Sequence, residues 1–378
     1  MKKRIAVGEL RFGMYISELD RPWTDTPFMF QGFVLSTEQQ LDALKKYCST
    51  VLVDIERSPV APVEQEIAPA KIAYASGRAL TRDVMSAVRV GRRLDAQRLK
   101  SAVSAMTESV LRNPDALLLF SRLRSKGEYT ESHALDVSIY MITFGRFLQL
   151  EPGRIEFLGY LGLLQDVGKL HLPKELLEKR GRLSIEEFAL ARLHLNYSVE
   201  ILRATPGLPG ELARSAALHH ERHDGSGYPQ GLRGSEIGMV GSIAAIVDTF
   251  DALTVKRPYA DPVSPSAAIS MLYKSRGVLY DAQLVEQFIR CIGIFPVGSL
   301  VELNTGEVGV VIAQNLTKRL LPRVMVIRDA QRQPMMPHKL LDLAREPKAK
   351  QDEPYRILGT LEQGAVPFDA DELFARAK

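Results

Sequence analysis

The sequence predicts a mainly α protein: a helical bundle preceded by a small N-terminal α/β domain and followed by a small C-terminal β unit. Three observations lead there. The helical period dominates about residues 76–295, short β-like runs crowd the first 57 residues, and the pattern returns to strands from Val297. At 378 residues, and with about 150 residues per domain, two or three domains are expected. Hydrophobic residues make up 46% and charged residues 25%, which supplies enough apolar material for real cores.

Residues 1–57 form the expected α/β domain, of no assigned role. Arg4–Val7, Met14–Ile16 and Thr50–Ile55 read as strands. A helix opens at Ser36, with Gln39 three residues later as a capping box, and carries Leu41, Leu44 and Tyr47. Trp23, Phe28, Phe30 and Phe33 fall close together, either as an aromatic ligand site or, the favoured reading, as filling for a small core. Residues 58–75 read as a linker, because Pro59, Pro62 and Pro69 come with few large apolar groups. In the bundle, residues 76–295, one long polar helix should end at Asn113-Pro114. Pro152 opens another helix, Ser184 with Glu187 caps a third, and Pro209 with Glu211 starts a fourth. Residues 296–345 form the β unit, with strands at Leu300–Leu303, Glu307–Ile312 and Val324–Arg328 and a turn at Asn304-Thr305-Gly306. Residues 346–378 read as a polar tail, and there is no internal repeat.

Several classes are excluded. No run approaches about 18 uninterrupted apolar residues, so no membrane-spanning helix is expected. Met-Lys-Lys-Arg is followed only by Ile5–Leu10, interrupted by Glu9, which is not a signal peptide. Two cysteines, Cys48 and Cys291, make neither a disulfide framework nor a cysteine zinc site, so a reducing cytoplasm is expected. The net charge of +4, from 49 basic and 45 acidic residues, gives no case for polymeric nucleic acid.

Histidine is scarce, so its placement is informative. Of seven, four fall where a metal could use them: His133, His194, His219 and His220. His133 shares a helix face with Val137, Tyr140, Met141 and Phe144 and so points inward, as a core histidine or a ligand. His219 and His220 end the helix that begins near Pro209, where the macrodipole alone would favour them. Asp166 ends the apolar helix Ile155–Leu164, with Gly168 read as its stop. A carboxylate there opposes the dipole by about 0.3–1 kcal/mol, so Lys169 or a metal should compensate. Asp248 and Asp251, three apart on an apolar helix, repel unless Lys256, Arg257 or a shared cation lies between them. The stretch His219-His220-Glu221-Arg222-His223-Asp224-Gly225-Ser226-Gly227-Tyr228-Pro229 sets a tight polar loop beside two imidazoles.

At this stretch the sequence resembles the HD-GYP family, bacterial cyclic di-GMP phosphodiesterases within the HD phosphohydrolase superfamily. Tyr129-Thr130-Glu131-Ser132-His133 is similar to the family's first histidine motif, and Gln165-Asp166-Val167-Gly168-Lys169 occupies its His-Asp-x-Gly-Lys position. Leu183-Ser184-x-Glu186-Glu187 with His194 follows, then the Gly-Tyr-Pro loop, Asp248 to Thr254 and Arg257-Pro258-Tyr259. The resemblance covers about residues 120–330, and the first segment is similar to a small domain that often precedes this one. It implies an HD-type helical bundle and two divalent ions, iron or manganese, held by His133, Asp166, His194, His219, His220 and Asp248. Asp166 would bridge the ions and, with Lys169, act in catalysis. Lys169, Tyr228 and Arg257 would bind the substrate, cyclic di-GMP.

Departures from the family pattern are local. Gln165 replaces the signature histidine, so one metal is a ligand short unless the glutamine or water fills the place. Tyr129 replaces a glutamate that some members use for a third ion, so no third ion is expected. Leu195 and Ser198 replace the proline and glycine that usually follow His194, and Ala260 replaces a phosphate-binding lysine. Two functions therefore compete. One is hydrolysis of cyclic di-GMP to pGpG or on to GMP. The other is a non-enzymatic module that signals through nucleotide or protein partners.

Overall fold

The computed structural model describes residues 2–10, 14–28, 32–35, 38–54, 63–123, 129–255, 261–315, 318–350, 352–362 and 365–366. The chain divides into two units, residues 1–62 with 315–319 and residues 63–314 with 320–378.

In the first unit, strands β1 (Lys2–Ala6), β2 (Tyr15–Leu19) and β3 (Phe33–Val34), helix α1 (Glu38–Tyr47) and strand β4 (Thr50–Asp54) follow in order. The strands make an antiparallel sheet in the order β1-β4-β2-β3, with Arg4 opposite Leu52 and Tyr15 opposite Val34. Ile16, Val51 and Val53 alternate inward and meet Leu35 and Leu44 of the α1 side. Trp23, Phe28 and Phe33 pack on that core as mutual edge and tilted pairs, so these aromatics fill a small core rather than line a ligand site. Phe30 and Ser36 lie outside the described residues.

The second unit opens with α2 (Val63–Arg89) and α3 (Ala96–Arg112). Residues 63–75 are thus the first turns of a helix, not the end of a linker. Val63, Ile67, Ala70, Ala73 and Tyr74 bury one stripe, and that packing carries Pro69 inside the helix. Pro59 and Pro62 lie outside the described residues. The expected single long helix is two helices. Gly91 takes φ +67 at the break, and Asp95 caps α3 by accepting from the Gln97 and Arg98 amides. Asn113 ends α3 as expected and also caps α4 (Pro114–Arg122), accepting from Asp115 N at 2.8 Å.

Helices α5 (Tyr129–Phe147) and α6 (Pro152–Leu164) form the centre of the bundle. They approach so closely that a Cβ on Gly162 would lie 2.6 Å from the Ser138 backbone, which requires glycine there. Around them stand α7 (Lys174–Leu177), α8 (Ile185–Arg192), α9 (His194–Arg203), α10 (Leu212–Ala216), α11 (Gly238–Thr254), α12 (Pro265–Ser275) and α13 (Ala282–Ile292). The Ser184–Glu187 capping box on α8 forms in both directions.

Five antiparallel strands follow: β5 (Leu300–Leu303), β6 (Val308–Ala313), β7 (Arg323–Arg328), β8 (Pro334–Asp342) and β9 (Ile357–Thr360), in the order β8-β7-β6-β5-β9. β6 is buried throughout because its two faces serve two cores. Val310 and Ile312 join the helical core, while Val311 packs with Val301, Val324 and Leu341. The β unit therefore extends past residue 345, and β9 comes from the segment read as a tail. No described helix is long and apolar enough to cross a membrane.

Candidate metal centre

Three helix ends and two helix faces build the site. On α5 the stripe Val137, Tyr140, Met141 and Phe144 is at most 2% exposed, which turns His133 inward, itself 3% exposed. At the end of α6, Gln165 N bonds Leu161 O at 2.8 Å, and Asp166 then starts a 3-10 turn, Val167–His171. Gly168 does not stop α6. Its missing Cβ would stand 2.1 Å from His194 O and 2.4 Å from Ser198 N, and its N–H donates to Ser198 Oγ at 2.9 Å. Glycine thus lets the turn seat directly on the first residues of α9, beside His194. α10 ends at Ala216, so His219 and His220 lie in the turn beyond it rather than in a helix. Asp248 and Asp251 project from α11.

The structure brings His133, Asp166, His194, His219, His220 and Asp248 together in two sets that share Asp166. One is Asp166, His194, His219 and His220; the other is His133, Asp166 and Asp248; within each set one donor atom per residue lies within 4.8 Å of the rest. Asp166 Oδ1 stands 3.4 Å from His194 Nε2 and 3.3 Å from His219 Nε2, whereas Oδ2 stands 3.4 Å from His133 Nε2. Ligand atoms about 2.1 Å from one shared ion lie about 3.0–3.4 Å from each other, so these spacings suit coordination.

Three of the four imidazoles are oriented from behind. His194 Nδ1 donates to Ala191 O at 2.7 Å and His219 Nδ1 to Ala216 O at 2.8 Å, which places both Nε2 lone pairs at the centre. These two Nε2 atoms and Asp166 Oδ1 are buried with no hydrogen-bond partner among the described residues. His133 Nδ1 lies 2.7 Å from Asp251 Oδ2, while its Nε2 faces Asp248 Oδ1 at 3.1 Å. A neutral imidazole held that way presents a lone pair to carboxylate oxygens, an arrangement that only a proton or a metal cation relieves. The donor set therefore fits divalent ions. Asp251, wholly buried, orients His133, and its three-residue spacing from Asp248 was the available sequence signal; Lys256 and Arg257, the expected salt-bridge partners, lie outside the described residues.

Electrostatics agree. Burial pushes the Asp166 carboxyl up, but Lys169, His133 and His219 outweigh it and hold it well below the usual carboxylate range. Burial likewise raises Asp248, but its bond and attraction to His133 outweigh that and hold it well below the usual carboxylate range. Burial pushes His194 down to about 4, assisted by Lys169 and His219 and opposed by Asp166. Burial and then His219 press His220 well below its ordinary value. Lys169 Nζ lies 2.5 Å from Asp166 Oδ2 and supplies the cation expected beside that carboxylate.

The Gly-Tyr-Pro loop closes one side. Tyr228 stacks on His220 with centroids 4.7 Å apart, and the Arg192 guanidinium covers the tyrosine ring at 4.6 Å. Burial pushes the Tyr228 hydroxyl up to about 12, so it remains a donor at neutral pH. Glu221, fully buried, accepts from Gln230 N at 2.7 Å and Leu232 N at 3.0 Å and so pins the loop, a role its position in the motif does not reveal. Arg257 and Ala260 lie outside the described residues, as does the side chain of Tyr129.

Comparison with known proteins matches the HD domain to residues 118–284 and a domain of unknown function, DUF3391, to residues 2–99. The latter match extends through α2 into α3. A cyclic di-GMP phosphodiesterase of Pseudomonas aeruginosa is 32% identical over 372 residues, 91% of this chain and 90% of the relative. A cyclic di-GMP phosphodiesterase of Thermotoga maritima is 39% identical over 128 residues, 34% of this chain and 35% of that one. A 3′3′-cGAMP-specific phosphodiesterase of Vibrio cholerae is 34% identical over 169 residues, 44% of this chain and 32% of that one. Similarity that spans nearly the whole of both chains, with the HD match covering all six assembled side chains, shows that the chain belongs to the HD-GYP family of HD-domain phosphodiesterases.

Proposed function

We propose that this chain hydrolyses cyclic di-GMP to linear pGpG in bacterial second-messenger signalling, with two divalent ions, iron or manganese, as cofactors. The observation that carries the reading is Asp166, whose two oxygens face separate donor sets. His194, His219 and His220 would hold one ion, His133 and Asp248 the other, and Asp166 both. Bound there, the ions would supply an activated water and neutralise phosphoryl charge. Lys169 would meet a non-bridging phosphate oxygen as a point charge, exchanging its bond to Asp166 for one to substrate. Tyr228, with Arg257, would position the dinucleotide. Opening one linkage adds water across a P–O3′ bond and leaves a 5′-phosphate and a free 3′-hydroxyl. The N-terminal unit would carry no catalytic group, and the whole would act in the cytoplasm on this diffusible messenger, in contact with further signalling proteins.

The test is nucleotide chromatography on full-length protein loaded with Mn²⁺ or Fe²⁺ and given cyclic di-GMP and 3′3′-cGAMP in parallel. Appearance of pGpG, lost in Asp166→Ala together with bound metal, is the expected result. A metal-loaded protein that leaves cyclic di-GMP intact gives way to the interaction-module reading.

A further inference from the structure

The two donor sets around Asp166 differ in chemistry. One contains three imidazoles, from His194, His219 and His220, and the other a single imidazole, from His133, with the Asp166 and Asp248 carboxylates. Gln165 lies beside the second set. Its side chain is 1% exposed, and Nε2 donates to Asp248 Oδ1 at 3.2 Å. That contact fixes which way the amide faces, because an ionised carboxylate only accepts and must meet the nitrogen. The oxygen, on the same carbon as that nitrogen, takes no part in this contact and stays beside the second set. It is buried and has no hydrogen-bond partner among the described residues. Buried polar atoms are rarely left in that state without a water or an ion to satisfy them.

We infer that Gln165 Oε1 is a metal ligand, completing an oxygen-rich centre with His133, Asp166 and Asp248, and that the two ions consequently bind unequally. The three-imidazole centre takes a borderline transition ion tightly. The Gln165 centre, with one imidazole and a neutral amide in place of three imidazoles, accepts a hard divalent ion such as Mn²⁺ but holds it more weakly than the three-imidazole centre holds any ion, Mn²⁺ included, since the amide adds no charge. The Nε2 bond to Asp248 also orients that carboxylate, so one side chain serves as both ligand and positioner. This inference rests on the two-metal phosphodiesterase reading.

The test is Mn²⁺ titration of metal-stripped full-length protein, with free Mn²⁺ counted by electron paramagnetic resonance. Wild type should show two steps separated by tenfold or more in affinity. Gln165→Leu, close in size and without the oxygen, should keep the first step and weaken the second by a further tenfold or more. Gln165→His should draw the second step towards the first and allow Zn²⁺ to fill both places. If the leucine variant loses its first step as well, the histidine variant decides. Two equal steps in wild type, or a second step indifferent to both substitutions, would overturn the inference while leaving the phosphodiesterase reading intact. Absence of any Mn²⁺ step in wild type would instead overturn the two-metal reading beneath it.

Discussion

Gly168→Ala would drive a methyl group into the seam that joins Asp166 to His194. The new carbon would stand 2.1 Å from His194 O, 2.4 Å from Ser198 N and 2.9 Å from Ser198 Oγ. Comfortable contacts begin at about 3.5 Å, and two of the three obstacles are backbone, so the turn and α9 must part by about 1 Å. Overpacking of this kind costs about 1–3 kcal/mol. Stretching the Gly168 N–H bond to Ser198 Oγ adds about 1 kcal/mol. A loss of about 3 kcal/mol corresponds to a melting point lower by about 6–12 °C. The chemical effect should be larger than the structural one. His194 Nε2 now lies 3.4 Å from Asp166 Oδ1, and moving it away by even part of that opening should weaken metal binding by about 10–100-fold. Thermal denaturation and metal analysis of the same preparation provide the assay. A Gly168→Ala protein that melts within about 2 °C of wild type and retains its metal would refute the packing argument.

Other outcomes follow from the same geometry. Asp251→Leu removes the His133 orienter and should weaken the second Mn²⁺ step by about 10–100-fold, whereas Asp251→Asn, which can still accept from Nδ1, should lose less. Glu221→Ala frees two loop amides and should raise KM for cyclic di-GMP about tenfold or more, for about 1.4 kcal/mol of lost positioning, with metal content unchanged. Burial pushes Asp115, distant from this chemistry on α4, up to about 6, against the Gln314 N–H bond and the attraction of Arg146 and Arg323. Its folded value exceeds the unfolded 3.8, so its contribution is fully present below pH 3.8 and is lost as pH rises through 6. That difference is worth about 3 kcal/mol, and Asp115→Asn should stabilise the protein by up to that amount at pH 7 and hardly at all at pH 3.5, as read from urea midpoints.

What could be read from residue order was mostly local. The His133 stripe, the Ser184 capping box and the helix stop at Asn113-Pro114 each depend on neighbours within a few positions, and each forms in the structure. Features set by distant contacts were hidden. Pro69 argued for a linker because nothing nearby announces the buried face that holds α2 together. Gly168 looked like a helix stop because the carbonyl it must avoid belongs to His194, 26 positions later. β8 begins at Pro334 and contains Pro337, tolerable because it lies at the sheet edge, and β9 is a strand only because β5 pairs with it. Asp251 was visible as a second carboxylate, but its partner is on α5, 118 residues away.

The depressed basicity of His194 and His220 changes how the protein can lose its cations. An ordinary histidine surrenders a metal to protons across about pH 5–7, because the same lone pair serves both. His194 resists protonation until about pH 4, and His220 lies well below its ordinary value too. Mild acid is therefore a weak competitor at these two positions, and filling them near neutrality expels no hydrogen ion from either ring. Their share of the binding heat should be the same in buffers of different ionisation enthalpy, and protons compete for these two rings only well below the usual imidazole range.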